Sequence, residues 1–447
     1  MPGDFAADVL SEAERVAAQP VRPGDDATDI PFVTVDPLGS KDLDQAVHIS
    51  RADSGYLVSY AIADVASFVR PGSALDEETR RRGETLYFPD TRVPLHPPVL
   101  SEDAASLLPD QVRAAVLWQI GLDASGEVTG VDVRRAHVRS VRQLDYDALQ
   151  KSMDAGQAPD AVALLEEVGQ LRLNLAWGRH AIDLNRPEQL VERDGSTWRI
   201  ALREPLPVES YNAEISLLTG MCAARLMLEA GYGILRTVPP PDPGAIDSLK
   251  RAAHALGVDW PDGAAAGDVL AKVDRANGRR VAFIDHAVAL LRGAGYTTFD
   301  GAPPRQPLHA GIAAPYAHVT APLRRLVDRY GSEVCLAAHA KQPVPQWVRD
   351  RLPQLPQVMA DADRRAHEAD RATVDMTEAW MLAGRVGQQF AATVIDAEKN
   401  SGTIVIDDPA VRARCDGAQL PIGERITATL IEADIARRTV RFEARKS

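Results

Sequence analysis

The stretch Pro31–Ala46, PFVTVDPLGSKDLDQA, decides how this chain is read. Phe32 to Val35 is an apolar, β-branched run that ends at Asp36-Pro37, the pattern of a strand delivering an acid to a loop. Asp42 and Asp44 return a short loop later, and on an extended return they share one face, because side chains two apart in a strand point the same way. Three carboxylates then have a way to converge. Hard oxygen ligands at this density suit Mg²⁺ or Mn²⁺, which take a few carboxylates and complete their shells with water and phosphate oxygens. Ions so held polarise a phosphodiester and activate a water for in-line displacement. Aspartate, glycine, serine and proline are also ordinary loop residues, and on spacing alone a solvated turn is the better reading. A calcium loop fits poorly, since Leu38 and Lys41 stand where an EF-hand needs a ligand and a glycine.

Working outward, residues 1–30 read as a short helical arm, FAADVLSEAERVAA, and a polar tail, too small for a domain. Strands are expected at Tyr56–Ala63 and Val116–Leu122. Leu164, Leu165, Val168, Leu171 and Leu175 then recur at helical spacing, as does the stretch Asn212–Glu229. Helical patterns resume at Ile246–Leu256, Ala282–Leu291, Leu323–Ala340 and Asp361–Gly384. Beyond Gly384 the pattern changes to short strands at Gln389–Ile395, Gly402–Ile406, Arg425–Ile431 and Thr439–Phe442, which predicts a small barrel of OB type. The expected fold class is therefore α+β, with a large mixed α/β catalytic domain over 31–384 and an OB-fold barrel over 385–447.

The bulk numbers set bounds. With 447 residues, 45% hydrophobic and 25% charged, the chain has enough apolar material for a large core and a companion domain. No apolar run approaches the length of a membrane span and the N-terminus carries acids, so a cytoplasmic protein is expected. Cys222, Cys335 and Cys415 form no paired spacing, which argues against a disulfide framework or a zinc site. The net charge of −13 counts against a nucleic-acid partner but only as an average, because a metal-dependent enzyme concentrates carboxylates and still lines a channel with arginine. The excess of arginine over lysine fits phosphate recognition and coding bias about equally.

PFVTVDPLGSKDLDQA resembles the signature of the RNase II, or RNB, family, in which a strand leads into aspartates at this spacing. Asp36, Asp42 and Asp44 match three of the family's four acids, and Gln45 stands where the family has an aspartate that takes part in metal binding. The segment YAHVTAPLRRLVDRYG resembles a second family pattern, with Thr320, Pro322, Arg324, Arg325 and Asp328 matching and Ala321 and Leu326 departing from its serine and tyrosine. From the residues alone, Thr320 caps a helix and Pro322 fits its first turn, which leaves Arg324 and Arg325 at a positive end suited to phosphate. An exposed pair between Arg324 and Asp328 is the plainer alternative. The resemblance makes Arg324 the residue that holds the scissile phosphate.

GETLYFPDTRVPLHPPVLSE resembles the family segment whose tyrosine stacks on a base near the RNA 3′ end, and Tyr87 sits there. Its partner aromatic corresponds to Leu184 in GRHAIDL, which packs but does not stack. Glu214 matches a glutamate near the substrate ribose, and His309 and Tyr316 match channel-lining positions. Core packing, a surface carboxylate and a structural histidine are the bland counterparts. The resemblance implies a 3′-to-5′ processive exoribonuclease that hydrolyses single-stranded RNA to nucleoside 5′-monophosphates with Mg²⁺ or Mn²⁺, acting as a monomer, and an OB barrel of the S1 kind that binds RNA. The paired N-terminal cold-shock-like barrels usual in the family have no counterpart here, which implies altered gating and more access for structured RNA. The alternative, set by Gln45, is an RNA-binding pseudoenzyme of the same fold.

Overall fold

In the computed structural model, residues 2–19, 24–184, 188–194, 197–273, 283–284, 286–406, 408–409 and 411–444 are described. The strand expected at the acidic stretch runs Phe32–Asp36 and is buried along most of its length. It pairs in parallel with the far end of an 18-residue strand, Val128–Asp145, from Phe32 opposite Ser140 to Asp36 opposite Asp145. The near end of that long strand pairs antiparallel with Val112–Asp123. Gln45–Ala52 and Gly55–Ala63 complete the circuit, the first pairing with the second and with Phe32–Asp36, the second also with Val112–Asp123. One long strand thus touches both ends of the series, and the sheet curls back on itself.

Side-chain alternation at period two then gives the sheet two apolar faces. Val33, Val35, Val47, Ile49, Val58 and Ile62 enter one core with Ile215, Leu218 and Met227 of the helix Pro207–Ala230. Phe32, Ala46, Ala61, Ala63 and Leu117 enter a second core together with Val9, Ala13 and Val16. The N-terminal helix, Ala7–Ala17, accordingly buries these three side chains against the sheet. Val128–Asp145 was not expected because its outward face is charged and half exposed, which dilutes the strand pattern.

The helix Pro207–Ala230 starts on a proline and ends at Gly231 in the left-handed conformation, φ 70°. Neighbouring segments approach it closely: a Cβ on Gly169 would lie 2.5 Å from Tyr211 Cβ, and one on Gly220 would lie 2.1 Å from the Tyr316 ring. The helix expected at Leu323–Ala340 is Leu326–His339, and that at Asp361–Gly384 is Leu355–Leu382. The pattern over Ala282–Leu291 falls partly outside the described residues; its end, Val288–Leu291, is a 3-10 turn. A hairpin of Glu188–Asp194 and Thr197–Arg203 was not foreseen.

The last strands close into a five-stranded barrel in the order Gln389–Ala397, Ser401–Ile406, Val411–Asp416, Thr439–Ala444, Arg425–Asp434. Phe390 and Phe442 meet edge to face inside it, 5.7 Å apart, so both are core residues and leave the barrel's outer face to other groups. Leu382, the end of the long helix, is buried among the barrel's core residues, and the Arg412 amide donates to Glu378 on the same helix. Among the described residues no helix is long and apolar enough to cross a membrane.

Candidate active site

Asp36 closes its strand with one carboxylate oxygen, Oδ2, buried and without a hydrogen-bond partner. Burial pushes its pKa from 3.8 to about 7 despite the Arg324 guanidinium, and the charge of Asp42 adds to the rise. Asp44 is 3% exposed. Its Oδ1 accepts from the Leu323 amide at 2.6 Å, and Arg324 Nε lies 3.5 Å from its Oδ2. Burial, opposed by Arg324 and that amide, holds the Asp44 pKa well above its ordinary value. These are two desolvated carboxylates facing one half-exposed arginine, an arrangement short of positive charge.

Asp42 is placed differently. Tyr87 donates its hydroxyl to Asp42 Oδ2 at 2.7 Å, Arg92 Nη1 donates to Oδ1 at 2.8 Å, and Arg92 Nη2 reaches Glu102 at 2.5 Å. Residues 41–44 are not a strand; the regular strand begins at Gln45. The extended return on which Asp42 and Asp44 would share one face is therefore not formed, and among the described residues no group of three or more histidine, cysteine, aspartate or glutamate side chains is drawn together. The physical reason is that the loop turns Asp42 onto a guanidinium and a phenol. Gln45 spends its carbonyl oxygen on two hydroxyls, accepting from Tyr60 at 2.8 Å and Ser216 at 3.3 Å.

The helix after the arginines starts later than expected. Its first residue is Leu326, and Arg325 occupies the capping position without a side-chain cap. Thr320 does not cap it; Asp328, fully buried, accepts from the Ala321 amide at 2.7 Å instead. Arg325, expected to touch RNA, gives two hydrogen bonds of 3.0 Å to the same Asp328 and is largely buried. The pair anticipated between Arg324 and Asp328 is thus made by Arg325, which leaves Arg324 45% exposed and turned to Asp44. A short ribbon fixes this corner: the Thr85 amide donates to Arg324 carbonyl oxygen, and the Leu326 amide to that of Gly83.

Tyr87 is 46% exposed, with its hydroxyl held on Asp42. Leu184 is partly buried against an apolar cluster that includes Ile182, Leu249 and Leu290. Glu214 is buried with Oε2 unpartnered; burial raises its pKa, opposed by Arg172 and Arg179, whose own Nε atoms are buried without partners. His309 and Tyr316 meet edge to face at 6.0 Å, and Tyr316 meets His318 at 5.2 Å. Burial lowers His309 to about 4, so the ring is neutral near pH 7. Arg92, Tyr60 and Ser216 escaped the sequence reading. Arg92 was within reach of it, since Tyr87 and Arg92 flank a Pro-Asp turn and pair across a two-residue hairpin.

A closed mixed sheet that ends in acids facing an arginine, with a five-stranded barrel behind it, defines a two-module protein built around a carboxylate and guanidinium site. A family model for the RNB domain matches residues 25–334, and one for the RNase II-type exonuclease C-terminal S1 domain matches 388–445. The chain belongs to the RNB family. Ribonuclease R of Escherichia coli (strain K12) is 27% identical over 413 residues, 86% of this chain and 50% of the relative. Exosome complex exonuclease RRP44 homolog A of Arabidopsis thaliana is 29% identical over 366 residues, 77% of this chain and 38% of the relative. The chain spans half or less of the length of these two. Among solved structures, apo RNase R of Mycoplasma genitalium superimposes with a TM-score of 0.85 at 20% identity, covering 99% of this chain and 76% of that one. Yeast Ssd1, described as a pseudonuclease, gives 0.71 at 18%, covering 94% and 54%. At these identities the likeness establishes the fold.

Proposed function

We propose that this protein is a 3′-to-5′ exoribonuclease that hydrolyses single-stranded RNA processively and releases nucleoside 5′-monophosphates. The observation that carries the reading is the buried Asp44 and the half-buried Asp36, one of whose oxygens is covered and unpartnered, beside the half-exposed guanidinium of Arg324. Curated relatives bear the names ribonuclease R and exoribonuclease 2, and solved RNase R complexes of Mycoplasma genitalium hold single-stranded and double-stranded RNA. The Asp36 oxygen without a partner fits a hard divalent cation, which needs only one or two protein carboxylates when water and phosphate complete its shell. Asp36 and Asp44 would hold Mg²⁺ or Mn²⁺, and such an ion supplies an activated water and charge neutralisation at phosphorus.

In the reaction, a water oxygen attacks the last phosphorus, the bond to the preceding 3′-oxygen breaks, and that oxygen gains a proton. Arg324 donates to the phosphate oxygens as negative charge builds there. Asp44, itself bonded to the Leu323 amide, keeps the Arg324 chain aimed. Tyr87 offers its open ring to the terminal base, and Glu214 accepts from a ribose hydroxyl.

Labelled single-stranded RNA incubated with the purified protein, with Mg²⁺ and then with chelator, tests this: stepwise shortening that chelator stops is expected. Asp44→Asn should abolish turnover while leaving RNA affinity within about threefold, since the isosteric amide keeps the surrounding packing but loses the charge that would hold the cation. The second reading, an RNA-binding pseudoenzyme, is favoured by Gln45, whose oxygen is spent on Tyr60 and Ser216 and adds no charge. RNA binding without shortening in either condition would select it.

A further inference from the structure

We infer that Asp42 is a positioning residue, clamped between Tyr87 and Arg92 so that it orients the Tyr87 ring for the terminal base, and that it does not serve as a cation ligand. Both carboxylate oxygens are already spent: Oδ2 accepts from Tyr87 at 2.7 Å and Oδ1 from Arg92 at 2.8 Å. Arg92 cannot swing away cheaply, because its other nitrogen is held by Glu102 at 2.5 Å. A guanidinium on Asp42 neutralises it where a cation would otherwise sit, and a planar two-nitrogen donor is stiffer than a lysine in that role.

The geometry of the ribbon explains what the clamp is for. Tyr87 and Arg92 are register partners of the hairpin Leu86–Tyr87 and Arg92–Val93, so one carboxylate ties both strands at the same level. The residues just before it are anchored to the arginine segment through the Thr85 amide and the Glu84–Arg325 bridge. The hairpin that carries the ring is therefore tied through its backbone to the segment that carries Arg324. Tyr87 has its hydroxyl fixed and its side chain 46% exposed, the requirement for a base platform that must not rotate.

This inference rests on the reading of the chain as an RNA-binding RNB protein, and its test separates the two. Single-stranded RNA ending in 3′-terminal 2-aminopurine is bound in chelator, and quenching of its fluorescence reports stacking. Tyr87→Phe keeps the ring and removes only the latch; quenching is expected to fall by about half or more, since stacking depends on a fixed ring face. Unchanged quenching would overturn the inference. Mn²⁺ titration by calorimetry without RNA supplies the second arm. The charge-balanced double variant Asp42→Ala/Arg92→Ala should keep Mn²⁺ affinity within about threefold, while Asp36→Asn loses about tenfold or more, at 1.4 kcal/mol per decade. Equal losses in both would also overturn it, and should the double variant not fold, the Tyr87→Phe arm decides alone. A wild-type protein that bound no RNA would sink the functional reading together with this inference, whereas normal wild-type binding with unaltered Tyr87→Phe quenching would sink the inference only.

Discussion

Asp36 carries a pH signature of its own. With its pKa raised from 3.8 in the unfolded chain to about 7 in the fold, the folded state binds the extra proton across that window. Stability from this group is therefore present below about pH 4 and is lost as pH climbs through 7, at about 1.4 kcal/mol per unit for a full proton difference. Asp44, also raised, acts in the same direction. In chelator, the wild-type melting temperature should drop between pH 5 and pH 8, and Asp36→Asn should flatten that drop. A wild-type profile as flat as the variant's would show that Asp36 does not carry a covered, uncompensated carboxylate oxygen. The sequence placed Asp36 at a strand end but gave no hint of its isolation, because desolvation depends on what covers a side chain.

At the scale of elements, the helix Pro207–Ala230 and the loop around Tyr316 lock together at Gly220, whose carbonyl also accepts from the Ala317 amide. A methyl group there would need the space of the ring, so Gly220→Ala should destabilise the protein by about 1–3 kcal/mol, the usual cost of overpacking. Chemical denaturation measures it, and a change below about 0.5 kcal/mol would mean the loop yields freely. The same element shows where sequence reading stops. Its helical period was plain in Asn212–Glu229, but a glycine in mid-helix signals only a cost until the ring above it is known. Likewise Thr320 and Pro322 spell a helix start, yet the buried Asp328 captures the Ala321 amide and Arg325, and the helix begins at Leu326.

At the scale of the whole molecule, several arginines among the described residues are tied into internal pairs. Arg329 is buried on Asp76, Arg135 bridges Asp64 and Glu333, and Arg325 sits on Asp328. The net charge of −13 is an average, and on the proposed function RNA would be drawn to local positive positions such as Arg324. Affinity of the Asp44→Asn variant for single-stranded RNA should fall with salt at a log–log slope of about −2 to −4, three to six phosphates at about 0.7 each. Anisotropy titrations at several salt concentrations give the slope; a value near zero would exclude a phosphate-tracking channel.

What the sequence determined by itself was the order of modules, the strand that ends at Asp36, the long helices and the closing barrel, since these follow from local periodicity and turn chemistry. The acids and the arginine were legible as residues because their spacing is a local property too. Only the tertiary structure decided which of them share a charge. It set Asp42 on Arg92 and Tyr87, gave Asp328 to Arg325, spent Gln45 on Tyr60 and Ser216, and left Asp36 and Asp44 to Arg324. Pairing of this kind is settled by distance and desolvation across elements far apart in the chain, and no local pattern encodes either.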